Sequence, residues 1–181
     1  MENHDVLTFT PVDHPDERVR RLGFDLSGSY FEQCWGPMLG PTATLLLRRM
    51  PTLWEEQTPA VISRGEFGRS LGVGPGKGTR SVLSHTLDRV VRFGFARWHG
   101  FEPSLDVAVH VPVLKAHHVE RLPQVTQQAH ERLLGVAVQQ LADTHETAPK
   151  VAAITARLDR LEGRPSVRPE RSIAPTQALG R

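Results

Sequence analysis

The chain has 181 residues, of which 39% are hydrophobic and 23% charged, and its formal net charge at pH 7 is +2. This length supports one hydrophobic core with appended helices, whereas so small a net charge says nothing about partners. The single cysteine, Cys34, excludes an intrachain disulfide and a cysteine-rich zinc site, and we interpret it as a small buried apolar group. No apolar run is long enough to span a membrane, and the polar, acidic first residues do not resemble a signal peptide, which predicts a cytoplasmic protein.

The N-terminal part is expected to supply an arm and two short helical elements. Residues 1–28 contain two prolines and six acidic residues, and we predict an extended acidic arm. The capping box Ser29-Tyr30-Phe31-Glu32 predicts a helix that places its aromatic residues in the core. Gly36-Pro37 and Gly40-Pro41 predict interruptions of this helix. The next helix is predicted from Thr42 to Met50, because Pro41 suits its first position and Pro51 would end it.

The sequence of the central part, residues 60–111, predicts a strand, two helices and a hairpin in that order. Residues 60–62 are a short strand candidate, and Ser63-Arg64-Gly65-Glu66 is a capping box that opens a helix. A second helix is predicted from Arg80 to about Phe93, because its apolar residues fall on one stripe and Gly94 follows. Two strand-like runs, 95–98 and 105–111, come next and are joined by a turn-rich segment.

Residues 66–73, Glu-Phe-Gly-Arg-Ser-Leu-Gly-Val, resemble the Glu-Leu-Ala-x-x-Leu-Gly-Val phrase of bacterial winged-helix regulators. The order of elements over residues 60–111 is similar to that of the winged helix-turn-helix DNA-binding superfamily. This resemblance implies a mainly α fold with a small β-hairpin. It implies a winged helix-turn-helix domain over residues 29–114, with additional N-terminal and C-terminal helices.

Charge placement favours a DNA contact in the same region. Residues 64–99 carry seven basic and two acidic side chains, a net of +5 that would suit a phosphate-binding surface. The polar face of the second helix offers groups for base edges, although any surface helix has a solvated polar face. The predicted base-reading residues are Arg80, Ser81, His85, Asp88 and Arg92. The predicted contacts to phosphates or the minor groove are Lys77, Thr79, Arg89, Arg97 and His99.

Two sequence patterns suggest other functions, a nucleotide-binding loop and a metal site, but the spacing of their residues argues against both. Residues 72–79 end in the Gly-Lys-Gly-Thr of nucleoside monophosphate kinase loops, but Leu71 stands where such a loop requires glycine, and the preceding segment reads as helix. His117, His118 and His130 lack the i, i+4 spacing of helical metal ligands, which favours a solvated or hydrogen-bonded role. Since no catalytic constellation is found, we predict a non-enzymatic protein without metal or cofactor.

The C-terminal part is predicted to mediate dimerisation. Residues 123–143 carry an apolar stripe too broad to remain in water, and residues 149–163 place apolar residues at heptad a and d spacing. Residues 115–163 are therefore assigned to C-terminal helices, which either dimerise or fold back on their own protomer. Residues 164–181 lack an apolar period and are expected to form a disordered basic tail. The predicted dimerisation residues are Leu133, Leu141, Val151, Ile154, Leu158 and Leu161.

Together these patterns predict a sequence-preferring, double-stranded DNA-binding protein. We expect a bacterial, nucleoid-associated transcriptional regulator that acts as a homodimer, because regulators that read palindromic sites are usually dimers. The alternative is a winged-helix protein-interaction module in a larger assembly, in which the basic face meets an acidic partner. The operator sequence, the sign of regulation and any small-molecule effector are left open.

Overall fold

The computed structural model describes residues 6–75, 78, 80–100 and 103–161, with side chains as far as residue 143. The fold is mixed α/β, so the prediction of a mainly α protein is wrong. The chain divides into two compact units, Met1–Gly135 and Val136–Arg181, which are called unit 1 and unit 2 below. Among the described residues, no helix combines the length and apolarity needed to cross a membrane.

Helices and strands are interspersed along the described part of the chain. A π-helical turn, Phe31–Trp35, leads directly into the helix that begins at Gly36. The helices are α1 (Glu17–Leu22), α2 (Gly36–Leu39), α3 (Pro41–Glu56), α4 (Arg64–Ser70), α5 (Val82–Arg92), α6 (Ala116–Val119) and α7 (Gln124–Leu161). The strands are β1 (Val6–Val12), β2 (Phe24–Asp25), β3 (Ala60–Ser63), β4 (Ala96–Trp98), β5 (Ser104–Ala108) and β6 (His110–Val111).

The main sheet has four strands in the order β3-β1-β5-β4. Strand β1 lies antiparallel to β3 and parallel to β5, and β5 pairs antiparallel with β4. A second, two-stranded sheet joins β2 to β6. The predicted hairpin is therefore confirmed as β4 and β5, but the other edge of β5 is covered by β1 rather than left open.

The predicted extended arm over residues 1–28 is wrong for the residues that the structure describes. Strand β1 lies inside the sheet, with Leu7 and Phe9 fully buried. Helix α1 follows, and the side chain of Asp16 caps it by accepting a hydrogen bond from the Arg18 amide at 2.8 Å. Burial of alternate residues of β1 outweighs the two prolines and the acidic residues that suggested an arm.

The prolines at residues 37 and 51 do not interrupt helices as predicted. Pro37 lies in the first turn of α2, at the junction with the preceding π-helical turn, and the break comes only at Gly40, with φ of +80°. Helix α3 continues through Pro51 to Glu56 instead of ending at Met50. This extension brings Trp54 to the core, where its Nε1 donates to the Phe9 carbonyl at 3.0 Å.

The core of unit 1 is rich in aromatic residues, as expected. Cys34 is fully buried, and desolvation raises the pKa of its thiol to about 11. The hydroxyl group of Tyr30 accepts a hydrogen bond from the Leu114 amide at 3.0 Å and pairs with His130 Nδ1 at 2.8 Å. The hydrogen-bonded role predicted for His130 is thus confirmed, and the contact attaches the first turns of α7 to the core.

Helix α7 is one continuous helix of 38 residues, so the two segments predicted over residues 123–143 and 149–163 belong to one helix as far as Leu161. In unit 1, Leu133, one of the predicted dimerisation residues, is half-buried and packs against the core of its own protomer. In unit 2, Leu141 is 39% exposed. The remaining predicted dimerisation residues, Val151, Ile154, Leu158 and Leu161, lie on the helix, but their side chains are outside the description, as is the predicted tail over 164–181.

Candidate nucleic-acid interface

Helix α4 begins as the sequence predicts. The Ser63 side chain accepts a hydrogen bond from the Glu66 amide at 3.1 Å, which satisfies one of the free amides of the first turn. Phe67 on α4 is fully buried, and its ring lies 5.1 Å from that of Phe9, measured between ring centroids. The cap fixes the start of α4, and the buried Phe67 holds the helix against strand β1.

Helix α5 has one buried face and one exposed polar face. Leu83, Leu87 and Val90 are each at most 1% exposed, which confirms the predicted core stripe. The opposite face exposes the side chains predicted to contact DNA bases, His85, Asp88 and Arg92. The geometry therefore leaves donors and acceptors at these positions accessible to a ligand.

Ser81 is not on the exposed face as predicted, because α5 begins at Val82 rather than at Arg80. The Ser81 side chain accepts a hydrogen bond from the Ser84 amide at 3.1 Å and so acts as the N-cap. Arg80 is exposed but precedes the cap, outside the helix. The exposed face of α5 therefore lacks Arg80 and Ser81, because the helix starts two residues later than the sequence suggested.

Ser84 is a structural residue that sequence analysis missed. Its hydroxyl donates to the Gly78 carbonyl at 2.9 Å, accepts a hydrogen bond from the Arg64 guanidinium, and lies 2.9 Å from the Ser81 hydroxyl. This buried hydroxyl thereby ties the start of α5 to the first residue of α4. The available signal was a serine on the apolar stripe of a helix, since buried hydroxyl groups are normally hydrogen-bonded.

Arg89 has a structural contact as well as an exposed position. Its guanidinium donates to the Met38 carbonyl at 2.9 Å, and lies 5.5 Å from the centroid of the Phe93 ring. These contacts join α5 to the end of α2. Arg89, His85 and the 54% exposed Val82 also line an open groove of about 300 Å³ against the first turn of α3.

The β4–β5 hairpin carries a compact charged cluster. Arg97 and Asp106 lie opposite each other in the sheet register, with 3.0 Å between Nε and Oδ2. His99 Nδ1 lies 3.2 Å from the same oxygen. The side chains of Arg97 and His99 are 77% and 71% exposed, whereas that of Asp106 is only 7% exposed. Sequence analysis identified the two exposed residues and missed the buried carboxylate between them.

The environment of Asp106 keeps its carboxyl group ionised. Burial alone would raise the pKa of Asp106, but the hydrogen bonds and positive charges of Arg97 and His99 more than offset that effect, so the pKa is lowered. The cluster therefore consists of one buried carboxylate, that of Asp106, which contacts two exposed side chains, those of Arg97 and His99.

Two of the predicted phosphate contacts, Lys77 and Thr79, lie outside the described residues. The segment before the glycine-rich loop is helix α4, with Leu71 as its C-terminal cap, so the strand that a kinase-type phosphate loop needs is replaced by a helix. Within the described part of the chain, no group of three or more His, Cys, Asp or Glu side chains could hold a metal ion.

Comparison with known proteins adds no assignment: no family model, no curated protein and no solved structure matches this chain. The geometry and chemistry of α5 and of the hairpin must therefore carry the functional argument.

Proposed function

We propose that unit 1 is a DNA-binding domain of the winged helix-turn-helix type, and that the protein is a sequence-preferring transcriptional regulator acting as a homodimer. The observation that carries the proposal is the exposed face of α5, where His85, Asp88 and Arg92 are accessible while the other face is buried. A helix in the major groove needs this combination of a fixed position and free polar groups.

The order of elements supports the same proposal. From α3 onward the chain runs helix, strand, helix, helix and then the β4–β5 hairpin. Strand β1 is an addition to that order, because it pairs between β3 and β5. Even with β1 added, α4 and α5 are consecutive and β4 is an outer strand of the sheet. Helix α5 and the hairpin can therefore each contact a neighbouring part of a DNA duplex.

DNA binding is tested by fluorescence anisotropy with a pool of duplexes, followed by selection of bound fragments from random DNA. Affinity should fall steeply with salt, at a log–log slope of about −0.9 for each phosphate neutralised. Arg92→Ala should weaken binding. Arg21→Ala, which removes an exposed arginine from α1, is the matched control and should not. The absence of binding to any duplex at low salt would overturn the proposal and favour the protein-interaction module.

Homodimerisation is proposed from unit 2 taken by itself. Its described side chains include three exposed apolar residues on one helix, Val136 at 50%, Val138 at 58% and Leu141 at 39%. A helix that exposes apolar residues gains stability by burying them against a second copy of the same surface. Further along the same helix, Val151, Ile154, Leu158 and Leu161 are spaced from one another as heptad a and d positions.

Light scattering of the full chain tests the dimer. The measured mass should be about twice the chain mass of 20.2 kDa. The double substitution Val138→Glu and Leu141→Glu should shift the protein to monomer. Gln139→Glu and Gln140→Glu add the same charge to exposed polar positions of the same helix and should leave the dimer intact. A monomeric wild-type chain would overturn this part of the proposal.

A further inference from the structure

We infer that Arg97, Asp106 and His99 form a single phosphodiester-binding site on the hairpin, in which Asp106 positions the other two side chains toward one backbone phosphate of duplex DNA. The inference rests on the proposed DNA binding. It states that a buried acidic residue strengthens the binding of negatively charged DNA.

The bonding of Arg97 leaves its phosphate-binding edge available. A guanidinium group carries five N–H donors in a fixed plane, and the bond to Asp106 uses Nε. The bond to Asp106 does not use the two terminal nitrogens, and the side chain is 77% exposed. This edge matches the bidentate geometry in which arginine binds phosphate.

The bonding of His99 follows from the charge of Asp106. Because an ionised carboxylate can only accept hydrogen bonds, the Nδ1 atom of His99 must carry the proton in this contact. The opposite ring nitrogen, Nε2, is not used by Asp106 and becomes a second donor to phosphate when the ring is protonated. One carboxylate oxygen thus sets the orientation of both side chains.

Two effects of Asp106 on DNA binding have opposite signs. Its negative charge reduces the positive potential of the hairpin and so weakens attraction to phosphate. Its hydrogen bonds hold two long or rotatable side chains in place before binding, which lowers the entropy cost of binding. We assign the larger effect to positioning, because the carboxylate is buried and already paired, with both partners on its Oδ2 atom.

The test is Asp106→Asn in the full chain, with affinity measured by anisotropy on a duplex that the wild type selects. Binding should weaken about threefold to tenfold, and the salt slope should fall by about one unit, although a negative charge has been removed. Glu56→Gln removes an exposed negative charge at the far end of α3 and is the matched control, with unchanged affinity expected.

Two further measurements separate positioning from a general loss of structure. In a double-mutant cycle, Asp106→Asn should cause little further loss in a chain that already carries Arg97→Ala and His99→Ala, because Asp106 acts through those two side chains. Arg97→Lys keeps the charge but removes the Nε–H donor, so it should weaken binding by a similar factor and fold even if Asp106→Asn does not. Melting temperature reports the fold of each variant.

The outcomes distinguish this inference from the proposed function. If the wild-type chain bound no duplex, both would be overturned. If the wild type bound DNA while folded Asp106→Asn and Arg97→Lys variants bound as tightly or more tightly, only the phosphodiester site would be overturned, and the cluster would be an ion pair that stabilises the hairpin.

Discussion

Helix α5 and the part of α7 in unit 2 both carry apolar residues, but these residues have different environments in the structure. In α5 the apolar residues Leu83 and Leu87 are buried within their own unit, and the exposed face is polar. In unit 2 the apolar residues Val136 and Val138 remain at least half exposed. Periodicity therefore predicts that a helix has an apolar face, but it does not say what covers that face.

The energetic consequence of this difference is large. Complete burial of a leucine side chain contributes about 1.5–3 kcal/mol, so α5 draws its stability from the core of unit 1. Isolated helices are marginally stable in water, and exposed apolar residues do not improve them. We therefore expect α5 to depend on its own protomer, and the helix of unit 2 to depend on a second copy of the chain.

The largest expected effect separates the two helices by stability. Leu87→Ala should lower the free energy of unfolding of unit 1 by about 2–5 kcal/mol, because it leaves a cavity under α5. Leu141→Ala should change it by less than about 0.5 kcal/mol at concentrations where the chain is monomeric. Urea denaturation followed by near-UV circular dichroism measures both, and equal effects would contradict the comparison.

Alkaline pH should destabilise unit 1 in particular, because the single tyrosine and the single cysteine of the chain both lie in that unit. Burial raises the pKa of Tyr30 from 10.0 to about 12 and that of Cys34 from 9.0 to about 11. The neutral forms are thus favoured in the folded state. Their contribution to stability is complete below the unfolded pKa values and is lost as pH rises through the folded ones.

The free energy of unfolding should accordingly fall above about pH 9, by about 2–3 kcal/mol for each group once its folded pKa is passed. Urea denaturation at pH values from 8 to 12 measures this fall. Cys34→Ala should remove the part between pH 9 and 11. A flat profile would mean that the two groups titrate as they do in water.

The next effect tests the exposed face of α5 against the exposed face of α7. His85→Ala should reduce discrimination between the selected duplex and a base-substituted one by about 1–3 kcal/mol, if the imidazole contacts a base edge. Gln139→Ala, at an exposed polar position of α7, should leave discrimination unchanged. Competition anisotropy measures the ratio, and unaltered preference in both variants would remove His85 from the interface.

The smallest effect concerns the attachment of α5 to α4. Ser84→Ala should lower the free energy of unfolding by about 1 kcal/mol, because the Arg64 guanidinium and the Gly78 carbonyl each lose a buried partner. Thermal denaturation measures this change. Unchanged stability would show that the burial of Leu83 and Leu87 alone determines the position of α5.

Local features of unit 1 followed from the sequence alone. Three of these features are the Ser63 cap, the buried stripe of α5 and the β4–β5 hairpin. Each depends on residues close together in the chain, so local sequence patterns are enough to predict it. The exposed positions of His85, Asp88, Arg92, Arg97 and His99 followed from the same patterns. Ser81 was misplaced because the start of α5 is two residues later than its periodicity suggested.

Only the tertiary structure decided the place of β1, the course of α3 through Pro51 and the partnership of Asp106. Strand β1 pairs with β3 and β5, more than fifty and ninety residues away in register, and no local pattern specifies such pairing. Composition suggested an arm at residues 6–12, but burial of Leu7 and Phe9 between distant strands outweighs the local preference. The sequence determined which faces are apolar and which are polar. The tertiary structure decided which of these faces are buried, because burial and hydrogen bonding depend on residues far apart in the chain.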